Sequence, residues 1–125
     1  MNPAVDALLD LLFPPKCVFC RRLLHTGERD LCAACQQALP WLTGAEAEQV
    51  GEGFSLCVSP LRYQDTVRDA LRRYKFQGFR WYHRVFGKLL AQCIRDHLEG
   101  KYDVITWAPL SAKRKRERGY DQAYL

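Results

Sequence analysis

The sequence predicts an α/β protein: a four-cysteine, zinc-ribbon-like head followed by an α/β layer whose sheet is incomplete. Three observations predict it. Two C-x2-C pairs lie near the N-terminus, a strand–helix–helix–strand order begins at residue 54, and a strongly basic loop follows the second strand.

The cysteine pairs are Cys17-Val18-Phe19-Cys20 and Cys32-Ala33-Ala34-Cys35, with eleven residues between them. Zinc takes four thiolates in a tetrahedron, and each C-x2-C turn can present two of them to one ion. A disulfide reading needs an oxidising compartment that nothing here supplies. A redox C-x-x-C needs only one pair, within a βαβ pattern that is missing around Cys17. His25 lies between the pairs, but Cys17, Cys20, Cys32 and Cys35 complete the set without it. All four positions are thiolates, so the predicted zinc is structural and its site closed to water. The apolar residues of this segment, among them Val18, Phe19, Leu23, Leu24, Leu31, Leu39 and Trp41, are too few to offset its ordering entropy. Structural zinc supplies on the order of 10 kcal/mol of apparent folding free energy to such modules, so the head is expected to fold only with its ion.

The 125 residues are 48% hydrophobic and 26% charged, which suits one ordinary domain or two small ones. Residues 1–60 carry four Lys/Arg against seven Asp/Glu, whereas residues 61–125 carry fifteen against seven. A basic second half points to an anionic partner: nucleic acid, a phosphorylated small molecule or an acidic protein. The N-terminus has no basic stretch ahead of its apolar run, which Asp6 and Asp10 interrupt, so it does not read as a signal peptide. No stretch has the roughly 18 apolar residues of a membrane span. Thiols reserved for metal imply a reducing cytoplasm.

In chain order, Asn2 can cap a first helix, Pro3 suits its first turn, and Val5, Leu8, Leu9 and Leu12 form one face. Pro14 and Pro15 end it, and its apolar stripe is expected to pack on the head or the next domain. Residues 1–45 read as helix plus head, and the acidic, glycine-punctuated residues 46–53 as a mobile linker. Residues 54–125 form the second domain. Phe54–Tyr63 alternates like a strand, with Cys57 a packed small side chain. A helix from Asp65 or Thr66 turns Val67, Ala70, Leu71 and Tyr74 inward and ends at Gly78. A longer one runs from about Trp81 to Leu98, with Val85, Leu89, Cys93 and Leu98 inward. Asp103–Pro109 is β-branched at 104–106 and reads as the second strand.

After that strand, Pro109–Gly119 holds five Lys/Arg. Ligands of open α/β sheets sit beyond the carboxyl ends of strands, so these cations would make a mouth for phosphate or pyrophosphate. Gly119 allows close backbone approach, and a helix starting near Tyr120–Gln122 would aim free N–H groups at the same place. Nucleic-acid backbone would be gripped by the same residue types.

The order of these motifs resembles the ComF family. A Leu-Leu-Asp-Leu-Leu-Phe-Pro-Pro helix runs into the cysteine pairs. Tyr63…Val67-Arg68…Tyr74-Lys75-Phe76-Gln77-Gly78 follows, and then Pro109-Leu110…Arg114…Glu117-Arg118-Gly119-Tyr120-Asp121-Gln122-Ala123. The resemblance implies a zinc ribbon joined to a type I phosphoribosyltransferase-like domain that serves DNA uptake in natural transformation. It implies that Pro109–Gly119 grips the pyrophosphate of phosphoribosyl pyrophosphate, and Arg114, Arg118, Gly119 and Gln122 carry over. With the loop's own cations and hydroxyl, the candidate phosphate residues are Ser111, Lys113, Arg114, Lys115, Arg118, Gly119 and Gln122. Asp121 stands where the family has Asn, and a carboxylate there is expected to compete with a bound phosphate. The family's Asp-Asp-(aliphatic)-x-Thr-Thr-Gly loop is not found in these residues, so the chain reads as the front half of such a protein, with no catalytic residue assigned. Phosphoribosyl pyrophosphate and magnesium are expected only for a complete member.

Two other functions fit the same residues. One is a single-stranded DNA-binding module, with Phe54, Tyr74, Phe76, Phe79, Trp81 and Tyr82 as candidate stacking platforms. The other is a zinc head that docks components of the uptake machinery.

Overall fold

The computed structural model describes residues 3–125, which divide into two compact units, one ending at Leu39 and the other starting at Pro40. The first unit opens with helix α1 (Pro3–Leu12), as the apolar spacing predicts. Asn2, the expected cap, lies outside the described residues. The expected packing of α1 is not seen: none of its residues is buried, and Val5, Leu8, Leu9 and Leu12 all face solvent. The rest of the unit is the cysteine-bearing head, which closes with the six-residue helix α2 (Ala33–Ala38). Its core is Cys17, Val18, Phe19, Cys32, Cys35 and Leu39.

The second unit begins earlier than composition suggests. Trp41 pairs with Leu61, while Leu42 N–H donates to Pro60 O and Arg62 N–H to Pro40 O. Residues 46–53 are therefore not a free linker. A 3-10 turn (Gly44–Ala47) leads into strand β1 (Glu48–Gly51), which pairs antiparallel with β2 (Phe54–Val58). Glu52 and Gly53 make the reversal, and Gly53 takes the positive φ of 82° that such a turn favours in glycine. Acidic, glycine-punctuated composition suggests a mobile linker, but backbone pairing of residues 48–51 with β2 outweighs it. On β2, Leu56 and Val58 are half-buried while Cys57 is exposed, so Cys57 is not the packed side chain expected.

Helix α3 (Asp65–Phe76) buries Val67, Ala70 and Tyr74, the inward stripe its periodicity predicts. A 3-10 turn (Arg80–Tyr82) precedes α4 (His83–Leu98), which buries Val85 and Cys93. Nδ1 of His97 on α4 lies 2.8 Å from Glu48 Oε1 on β1. Tyr82 is fully buried among Phe79, Trp81 and Phe86.

The second expected strand does not form. Residues 103–109 run without strand pairing, with Val104 82% and Ile105 71% exposed. Among the described residues, the β1–β2 pair is the one sheet, so the open α/β layer is replaced by helices beside a two-stranded antiparallel hairpin. β-Branched residues favour an extended backbone, but a strand needs a partner to satisfy its N–H and C=O groups. The helix expected near Tyr120 is also displaced. Instead α5 (Ala112–Arg118) occupies the basic loop itself and ends at Gly119.

Candidate metal centre and basic cleft

In the head, Pro15–Leu24 folds back on itself. Lys16 pairs with Leu23, Cys17 N–H donates to Arg22 O and Leu24 N–H to Pro15 O. Arg21, with φ at 67°, turns the chain just past Cys20. The second pair sits at the start of α2, where Cys32 is the N-cap and its Sγ accepts from Cys35 N–H at 3.4 Å. Val18 N–H donates to Asp30 O and joins the two turns. Glu28 fastens the intervening loop: its carboxylate accepts from His25 N–H at 2.8 Å and from Ala33 N–H at 2.7 Å. Those two N–H groups hold its carboxyl below the usual range. Nothing in the spacing of the cysteines points to Glu28.

The result is convergence of Cys17, Cys20, Cys32 and Cys35, whose sulfurs all lie within 4.8 Å of one another. Cys20 Sγ and Cys32 Sγ are 3.6 Å apart. Zinc–thiolate bonds of about 2.3 Å in a tetrahedron require sulfurs roughly 3.8 Å apart, so the donor set fits zinc. Electrostatics agrees. Burial alone would raise the Cys17 thiol, but N–H groups of Cys32, Cys20 and Phe19 bring it down to about 7. Burial and then the neighbouring sulfurs push Cys35 upward, and burial also raises Cys20. Cys17 ionises readily, whereas Cys20 and Cys35 need a cation beside them before they release their protons. His25 is exposed and outside this set; Cys57 and Cys93 are elsewhere in the chain. A bound zinc would supply cross-linking of the two turns.

In the second unit, α5 organises the basic loop. Ser111 caps it, its Oγ accepting from Arg114 N–H at 3.3 Å. Gly119 ends it with φ at 78°, donating its N–H to Lys115 O. Arg114 and Arg118, one turn apart, line a cleft of about 560 Å³ together with Glu117 and with Lys75, Phe76 and Gly78. Arg118 is oriented twice: it donates to Gln122 Oε1 at 2.6 Å, and its guanidinium lies 4.9 Å from the centre of the Phe76 ring. Of the predicted phosphate residues, the structure thus brings Arg114 and Arg118 into the cleft. Ser111, Gly119 and Gln122 shape or hold that wall. Lys113 and Lys115 are exposed and do not line it.

Asp121 does not confront the cleft as expected. Its carboxylate accepts from Leu110 N–H at 3.3 Å and Ala123 N–H at 3.1 Å, closing the loop around α5. Loss of solvent would raise its carboxyl, but these backbone donors hold it below the ordinary carboxylate range. Two tyrosines fix α3 against this loop. Tyr74 O–H donates to Gln122 O at 2.7 Å, and Tyr120 O–H donates to Tyr74 O. Lys75 and Glu117 carry no phosphate-site expectation from the sequence beyond their place in the motif order, and Phe76 carries only one for base stacking.

Comparison with known proteins reinforces this picture. Residues 8–64 match the double zinc ribbon domain family. Among the described residues, that region offers one four-sulfur cluster. The chain is 27% identical over 129 residues to competence protein F of Haemophilus influenzae, an alignment covering 88% of this chain and 56% of that protein. The chain thus spans little more than half the length of this relative. No solved structure matches it. A zinc-ribbon region, four convergent thiols and similarity to a competence protein together support a ComF-like protein.

Proposed function

We propose that this ComF-like chain serves DNA uptake in natural transformation, with one structural zinc holding its head and its second unit gripping a phosphorylated ligand. The second unit is read as the N-terminal part of a phosphoribosyltransferase-like domain, and the ligand as the pyrophosphate group of phosphoribosyl pyrophosphate. Magnesium belongs to that chemistry in a complete relative; no residue here is assigned a catalytic step. One observation carries the reading: Arg114 and Arg118 face one cleft from adjacent turns of α5, with Arg118 pre-oriented by Gln122 and Phe76. A fixed guanidinium loses little freedom on meeting a phosphate. Ser111 and Gly119 hold the helix that presents it, while Lys113 and Lys115 add to the surrounding positive field. The name of the Haemophilus influenzae relative, competence protein F, supports the competence role.

Isothermal titration of the zinc-loaded protein should show binding of pyrophosphate and of phosphoribosyl pyrophosphate, lost in Arg114→Gln. Indifference of the folded protein to both ligands overturns the grip. A second reading, single-stranded DNA binding, keeps some support because Phe54, Phe76 and Trp81 are exposed, although Tyr74 and Tyr82 are buried. Fluorescence anisotropy separates the two. A DNA-binding module binds oligonucleotide with an affinity that falls steeply as salt rises. Docking to uptake-machinery components is the third role, and the exposed apolar face of α1 is the surface it would use.

A further inference from the structure

We propose that Lys75 forms a second cationic wall of the cleft, so that a diphosphate is clamped between the end of α3 and α5 instead of resting on the basic loop alone. This rests on the anion-binding reading above and names a residue that reading does not include. Lys75, Phe76 and Gly78, from the end of α3 and just past it, line the cleft together with Arg114, Glu117 and Arg118 of α5.

Charge decides why the second wall matters. On α5 the carboxylate of Glu117 opposes the two guanidiniums beside it. That wall alone is a weak partner for a multiply charged anion, and Lys75 restores the excess of positive charge that a diphosphate requires. Geometry keeps the walls in register. Tyr74, the residue before Lys75, donates to Gln122 O, and Tyr120, two residues past Arg118, donates back to Tyr74 O. Both rings are buried, so these bonds are sheltered from water. Phe76, the residue after Lys75, supports the Arg118 guanidinium. Lys75 itself is only half-buried, which leaves its ammonium reachable. Cations drawn from two helices can contact both phosphoryl groups of a diphosphate, whereas orthophosphate offers only one.

The test is titration of the zinc-loaded protein with inorganic pyrophosphate and with orthophosphate, at fixed salt. Pyrophosphate should bind more tightly than orthophosphate. Lys75→Gln should weaken pyrophosphate roughly tenfold, the usual scale of a charge-assisted contact, and Lys75→Arg should restore most of it. Arg72→Gln removes the same charge from an exposed position of α3 outside the cleft, and should leave affinity unchanged. Thermal unfolding of each variant checks that the fold survives. If Lys75→Gln behaves like Arg72→Gln while Arg114→Gln abolishes binding, the second wall is overturned and the grip by α5 stands. If the unsubstituted protein ignores pyrophosphate, both fall.

Discussion

Tyr120 holds the backbone of Tyr74, whose own hydroxyl holds that of Gln122, and burial of Tyr74 first, then the nearby Tyr120 and Asp121, pushes its phenol up to about 12. An unfolded tyrosine titrates near 10, so the folded state keeps a proton that the unfolded chain has already lost. The associated stability is intact below pH 10 and is lost as pH rises from 10 toward 12. Tyr120, also raised by burial, acts in the same direction. Urea midpoints measured at pH 9 and pH 11.5 should therefore fall, and Tyr74→Phe should shrink that drop. A midpoint equally pH-sensitive in the variant would show that Tyr74 is not the group responsible. At the same scale Glu28 shows what spacing cannot announce. The cysteines declare their partners through chemistry, but a carboxylate that ties His25 and Ala33 together looks like any other surface acid until the loop is closed.

The elements differ in how far they can be read ahead of the fold. Helix α5 is stopped by Gly119 in the left-handed region, where a Cβ would meet no heavy atom within 4 Å. Gly119→Ala should then cost about 1 kcal/mol from backbone strain alone, seen as a lower midpoint in chemical denaturation. An unchanged midpoint would mean that the cap is not held in this form. Helices α3 and α4 were legible because their apolar stripes report a core they meet locally, at Val67, Ala70, Tyr74, Val85 and Cys93. The hairpin was half legible. β2 alternates, but β1 is Glu48-Gln49-Val50-Gly51, whose extended state is set by its partner and not by its own residues. Residues 103–109 show the converse, a strong β preference with no partner among the described residues. The cleft was legible only on its α5 side, because Lys75 and Arg118 meet through the fold and not through any local pattern.

At the scale of the whole molecule, the two units rest on different physics. The first has a core of six residues, three of them cysteines, so its folding free energy is inseparable from the ion. The second buries Val67, Ala70, Tyr74, Tyr82, Val85, Cys93 and Tyr120 without any metal ligand. A chelator added under reducing conditions should collapse amide protection in residues 14–39 while α3 and α4 keep theirs, as hydrogen exchange would report. Uniform loss across both units would refute this independence. Among the described residues, no helix is long and apolar enough to cross a membrane.

One consequence follows from Val104 and Ile105. A bare, branched, extended segment is a template onto which any second extended chain can zip, and a crowded solution supplies identical copies of it. Self-association of the molecule is therefore expected to start at that short stretch, and replacing Ile105 by a charged residue should suppress it.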